Sequence, residues 1–140
     1  MVEKLLIKQV LIPELYIQNF EKSIAFYTDI LGFKILYSRD EEKFVMLERE
    51  GAQIMFEQIG IGRNWITDEL KPPFGRGVNF QIEVSDINAL YDKITQNGVK
   101  FFLDMEDKWY RIDSGDVGNR QFIIQDPDGY LLRFFQKINL

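Results

Sequence analysis

The chain repeats itself, and the repeat restricts what it can fold into. A short strand ending at Ile17 leads through Gln18 and Asn19 into a helical pattern that stops at Leu31-Gly32-Phe33; a second strand ending at Val84 leads through Ser85 and Asp86 into another that stops at Asn97-Gly98-Val99. Asn19 and Asp86 are both residues whose side chains accept hydrogen bonds from the free amides of a first helical turn, and Gly32 and Gly98 both supply the left-handed backbone that ends a helix. The two copies superpose with about a one-residue gap, and keeping cap and glycine together is harder to reach by chance than spacing alone.

In the first copy Phe20, Ile24, Tyr27 and Leu31 follow helical spacing, with Phe26 and Ile30 widening the stripe. Three strands follow, Phe33 to Ser38, Phe44 to Arg49 and Ala52 to Gln58, the last two joined by a tight turn at Glu50-Gly51. The second copy has a strand at Val78 to Val84, a helix stripe of Ile87, Leu90, Tyr91 and Ile94, and strands at Val99 to Leu103, Arg120 to Gln125 and Tyr130 to Gln136. The expected fold is α+β: a single domain over residues 1–140, made of two tandem βαβββ modules at about 10–60 and 76–138, joined by a Gly- and Pro-rich linker at 59–76. One helix covers one face of each sheet, so the other face is left over, and two such sheets set edge to edge curl into a half-open, cleft-forming curved sheet. Strand alternation sends Val78, Phe80, Ile82 and Val84 toward the helix and leaves Asn79, Gln81 and Glu83 for the cleft. By the same rule Leu15 and Ile17 face the first helix, and Glu14 and Tyr16 face away from it.

A chain of this length buries roughly two-thirds of its unfolded surface. Its 14% aromatic content, with twelve Phe and six Tyr, exceeds what caps and turns use, so some rings are expected to line a pocket. The net charge of −5 argues against a nucleic-acid partner, which needs clustered basic residues, and favours a cationic ligand. With no cysteine, disulfides, thiolate catalysis and sulfur-ligated metals are excluded, in keeping with a reducing cytoplasm. Met1 to Pro13 carries Glu3, Lys4 and Lys8 and lacks a continuous signal-peptide core, and no apolar run is long enough to span a bilayer. A soluble cytoplasmic protein is expected. There is no histidine either, which removes the commonest metal ligand and general base.

Three stretches carry a family likeness: Asn19 to Phe33, Gly75 to Val84 leading to Asp86, and Asp126-Pro127-Asp128-Gly129-Tyr130-Leu131-Leu132-Arg133. With them the chain resembles the vicinal oxygen chelate superfamily, which includes glyoxalase, extradiol dioxygenases and the bleomycin resistance proteins. The resemblance implies an inward ligand position on each of four strands, matched here by Ile12 (or its neighbours Leu11 or Pro13), Glu57, Asn79 and Arg133. Only Glu57 among these is a strong ligand, and Arg133 would set a permanent positive charge where a cation belongs. The resemblance is therefore to the metal-free bleomycin resistance branch, whose members are dimers that sequester a cationic, partly aromatic drug without chemistry; the final Asp-Pro-Asp-Gly run followed by Gln136 is similar to that branch. It implies ligand contacts drawn from Trp109, Tyr110, Trp65 and Phe56, with Glu14, Glu57 and Glu83 to neutralise positive groups, and polar lining at Asn79 and Arg133.

Each candidate has a plainer reading beside it. Asp126 to Gly129 has the proline and glycine of a tight turn. An inward Arg133 needs a partner, and Glu57 of the other module is the natural one. Trp109-Tyr110 follows the charged segment Asp104 to Lys108 and is expected in a loop beside the cleft, with dimer packing as the alternative. Trp65 in the linker is expected to cover the core beneath it, Glu14 and Tyr16 to be polar lining, and Asp113 to Asn119 to be a flexible connection. The function expected is a metal-free small-molecule-binding protein of the bleomycin-resistance type, a homodimer with no cofactor, holding a cationic or aromatic ligand. The alternative is a glyoxalase- or dioxygenase-like lyase or isomerase acting on a small metabolite.

Overall fold

The computed structural model describes residues 9–139; the signal-peptide reading of Met1 to Pro13 falls largely outside them. The chain divides between Leu70 and Lys71 into two compact units. The first holds β1 (Glu14–Ile17), α1 (Phe20–Ala25), β2 (Lys34–Arg39), β3 (Phe44–Arg49) and β4 (Ala52–Gln58); the second holds β5 (Asn79–Glu83), α2 (Ile87–Gln96), β6 (Phe101–Ile112), β7 (Gly115–Gln125) and β8 (Leu131–Ile138). Each forms an open four-stranded mixed sheet, ordered β1-β4-β3-β2 and β5-β8-β7-β6. Substituting each strand of the first unit by its counterpart gives the order of the second, and in both the first strand runs parallel to the last. The fold is thus α+β with a doubled βαβββ module. Among the described residues no helix is long and apolar enough to cross a membrane.

The caps form as the side chains dictate. Asn19 Oδ1 accepts from Lys22 N at 2.9 Å, and Asp86 Oδ1 from Ala89 N at 3.0 Å. A second matched device lies at the far end of each module: Gln58 Oε1 accepts from Phe20 N at 2.8 Å, and Gln136 Oε1 from Ile87 N at 2.9 Å. Each glutamine thus satisfies a first-turn amide that no helical carbonyl can reach, and ties the closing strand to the opening helix. Beyond Ala25 the first helix widens into a π-helical stretch, Phe26–Ile30. There Leu31 N donates to Phe26 O, and the Thr28 hydroxyl takes the Ile24 carbonyl at 2.8 Å.

The core of the first unit closes on Tyr27, fully buried, with the rings of Phe56, Phe33 and Phe26 at 4.6, 5.4 and 5.7 Å. In the second unit Phe122 plays this part, with Phe101, Tyr91 and Phe134 at 5.4, 5.7 and 5.7 Å. Ring pairs of this kind, edge-to-face except for the tilted Phe122–Phe134 pair, add to the stabilisation from burial. The two-residue turn at Glu50-Gly51 forms with φ of 50° and 98°, the left-handed pair that such a hairpin requires. The Asp126–Gly129 turn is structural too: Asp126 Oδ1 accepts from Asp128 N and Tyr130 N, both at 2.9 Å.

The expected loop around Trp109 is a strand instead. β6 and β7 form one long hairpin that pairs from Ile112 and Gly115 down to Glu106 and Gln121, so only Asp113 and Ser114 lie outside strands and most of the supposed flexible connection is ladder. The low strand propensity of the charged residues is overridden by their cross-strand partners, with Arg120 Nε and Nη2 gripping the Asp107 carboxylate at 2.8 and 3.1 Å. Val78 also departs from expectation; it precedes β5 and is 48% exposed.

Candidate functional site

Counting from the Glu50-Gly51 turn places Phe44 opposite Glu57 on the neighbouring antiparallel strand, and Arg39 opposite Phe44. On the other side, Tyr16 is the parallel partner of Glu57. One row therefore crosses the whole first sheet, Tyr16–Glu57–Phe44–Arg39, on the face away from α1. The next row brings Glu14, Met55, Met46 and Tyr37 alongside.

Glu57 is the unusual member. It is 7% exposed, and among the described residues no hydrogen bond or ion pair holds its carboxylate. Burial pushes its carboxyl above the usual range, and the negative charge of Glu14 pushes it the same way; Arg63 pulls it back down, Glu42 raises it, and Arg39 lowers it. Its flanks are aromatic. The Arg39 guanidinium lies 4.0 Å from the centre of the Phe44 ring and is tied to Glu42 at 2.5 Å.

A strap from the inter-module segment closes the row at its Tyr16 end. The Tyr16 hydroxyl donates to Arg63 O at 2.7 Å and accepts from Trp65 N at 2.9 Å. Gly62 backs onto the Glu57 carboxylate, where a Cβ would stand 3.2 Å from Oε1. Trp65 does not cover the core: it is 64% exposed, and the Arg63 guanidinium lies 3.9 Å from its ring centre.

The structure therefore sets Glu14 and Glu57 from the sequence candidates on one face, joins Trp65 to it through its backbone amide, and adds Phe44, Arg39 and Arg63. Phe56 it places on the opposite side of β4, fully buried against Tyr27, because alternation turns the neighbour of Glu57 toward the helix. In the second unit Trp109 and Tyr110 are consecutive on a strand and so face opposite ways. The Tyr110 hydroxyl meets Gln121 Nε2 at 2.6 Å, whereas Trp109 lies across Gly118, where a Cβ would fall 2.6 Å from its ring. Tyr110 shares its side of that sheet with Asn79 and Arg133. Arg133 Nη2 donates to Gln81 Oε1 at 2.7 Å, and its Nε is buried without a partner among the described residues.

The doubled βαβββ topology agrees with a direct comparison. A model of the Glyoxalase/Bleomycin resistance protein/Dioxygenase superfamily matches residues 7–134. The chain belongs to this superfamily. Within it, the chain is 29% identical over 136 residues to the bleomycin resistance protein of Geobacillus stearothermophilus, covering 91% of this chain and 96% of that one. It is also 26% identical over 131 residues to the lactoylglutathione lyase of Neisseria meningitidis, covering 88% and 86%. The structure of TioX from Micromonospora sp. ML1 shares the fold, with a TM-score of 0.71 at 18% identity, over 94% of this chain and 100% of that one.

Of the residues that the resemblance singles out as ligand positions, Ile12 offers no side-chain donor, and Arg133 presents a guanidinium already donating to Gln81. No group of three or more His, Cys, Asp or Glu suited to a metal ion exists among the described residues.

Proposed function

We propose that this superfamily member is a metal-free small-molecule-binding protein of the bleomycin-resistance type, holding a cationic, aromatic ligand on the Tyr16–Glu57–Phe44 row and working as a homodimer in the cytoplasm. The observation that carries the reading is the Glu57 carboxylate, buried beside Glu14 with no cation bound to it by the protein among the described residues. A buried charge left this way costs free energy, and a ligand cation offsets that cost while the Tyr16 ring beside it adds cation–π attraction of about 0.5–2 kcal/mol. Micromolar affinity corresponds to about 8 kcal/mol, so several such contacts act together. The likeness to a bleomycin resistance protein supports the ligand class. Exposed Ile35, Leu36 and Tyr37 on the edge strand β2 support a second copy as partner. Isothermal titration with metal-free bleomycin and with proflavine, a planar aromatic cation, in chelator-treated buffer tests the proposal. Saturable binding of either is expected, and heat of neither would reject it.

The likeness to a lactoylglutathione lyase, together with a carboxyl raised toward neutrality, favours one second reading: Glu57 as the general base of a lyase or isomerase. Formation of lactoylglutathione, assayed with and without added divalent ions and lost in Glu57→Gln, would favour it over pure binding.

A further inference from the structure

We infer that Arg63 is a built-in competitor for the ligand: its guanidinium occupies the Trp65 ring in the free protein, and the ligand carries a planar cation, a guanidinium or amidinium, that takes over that place. The inference rests on reading the Glu57 row as a cation site.

The strap geometry fixes where the two side chains start. Tyr16 grips the backbone on both sides of Asn64, at Arg63 O and at Trp65 N. Gly62 is seated against the Glu57 carboxylate. Arg63 and Trp65 thus spring from a backbone anchored beside the buried acid, and their flat groups meet with the guanidinium 3.9 Å from the ring centre. Arg63 already gives Glu57 part of what a ligand cation would give, since its charge is the leading influence that draws that carboxyl downward.

What makes Arg63 displaceable is the contrast with Arg39. Both guanidiniums cover a ring, Arg39 that of Phe44 opposite Glu57 and Arg63 that of Trp65 on the strap, but Arg39 is also locked to Glu42. Arg63 has no ion pair among the described residues, and the ring under it is 64% exposed. Among the described residues it is therefore held by a solvent-exposed cation–π contact, the weak end of that interaction, and by the longer-range attraction of Glu57. An incoming planar cation presents the same flat, delocalised charge to the same ring. A compact ammonium lacks the plane that stacks there.

The test uses benzamidine, a planar amidinium, titrated calorimetrically into wild type, Arg63→Ala, Trp65→Leu and the double variant at neutral pH. Arg63→Ala is expected to bind about two- to fivefold more tightly, the change that freeing one exposed cation–π surface supports. Trp65→Leu is expected to bind more weakly than wild type, and in its background removal of Arg63 is expected to bring a smaller gain than in wild type, the part that comes from Glu57 alone. If wild type binds benzamidine and Arg63→Ala binds it equally or less tightly, the competitor role is overturned while the cation-site reading stands. If no variant binds benzamidine, proflavine or metal-free bleomycin, both fall together.

Discussion

Replacing Glu57 with Gln moves fold stability and ligand affinity in opposite directions, which no purely structural role does. The residue is 7% exposed, and burial followed by Glu14 holds its carboxyl above the ordinary value of 4.5. Because the folded-state pKa is raised, the stability this group contributes is fully present below the unfolded value and is lost as pH climbs through the higher folded value. At pH 7 the ionised carboxylate is therefore a cost that an amide of nearly the same shape does not carry. Glu57→Gln is expected to melt above wild type at pH 7, with the difference vanishing at about pH 4, below both values. Binding moves the other way. A hydrogen bond to a charged group contributes about 1.5–3 kcal/mol, so losing it weakens a cationic ligand by about ten- to a hundredfold. Scanning calorimetry at the two pH values and titration calorimetry with proflavine at pH 7 read both effects. A variant that melts below wild type at pH 7, or that binds proflavine as tightly, would refute the reasoning.

The remaining expectations test the frame around the row. Gln58→Leu and Gln136→Leu each orphan a first-turn amide, Phe20 N–H and Ile87 N–H; losses of about 1 kcal/mol, similar in the two modules, are expected in denaturant titrations. Gly118→Ala sets a Cβ 2.6 Å from the Trp109 ring and 2.8 Å from Ile138, so a loss of about 1–3 kcal/mol and a shifted tryptophan emission are expected. Tyr16→Phe removes both bonds to the strap, and hydrogen exchange at the Trp65 amide is expected to speed up by about fivefold or more with little change in melting temperature.

The repeat, both helix caps and the helix-facing stripes were legible because each rests on local chemistry: an oxygen at the cap, a glycine at the stop, apolar residues at a fixed period. The Glu50-Gly51 turn made even the central row computable, since a two-residue hairpin sets the register that brings Phe44 opposite Glu57. The same alternation turns Phe56 away from the row, as a neighbour of Glu57 on one strand cannot share its face. The strap was not legible. Tyr16 holds it through backbone atoms of Arg63 and Trp65, which leave no trace in residue type. The β6–β7 extension was hidden for another reason: Asp104 to Lys108 and Gly115 to Asn119 have poor strand propensity one strand at a time, and the ladder exists because Asp107 meets Arg120 and Glu106 meets Gln121 across it. The π-helical stretch after Ala25 keeps Tyr27 and Leu31 buried while altering the hydrogen-bond ladder, so apolar spacing alone did not signal it.

The most direct measurement is the titration of the Glu57 side-chain carboxyl by carbon-13 NMR, its signal assigned by difference against Glu57→Gln, in the free protein and with proflavine bound. A midpoint above 4.5 in the free protein that falls when the cation binds is the predicted result. A midpoint at or below 4.5 before any ligand is added would mean the protein already neutralises this acid itself, and would contradict the account.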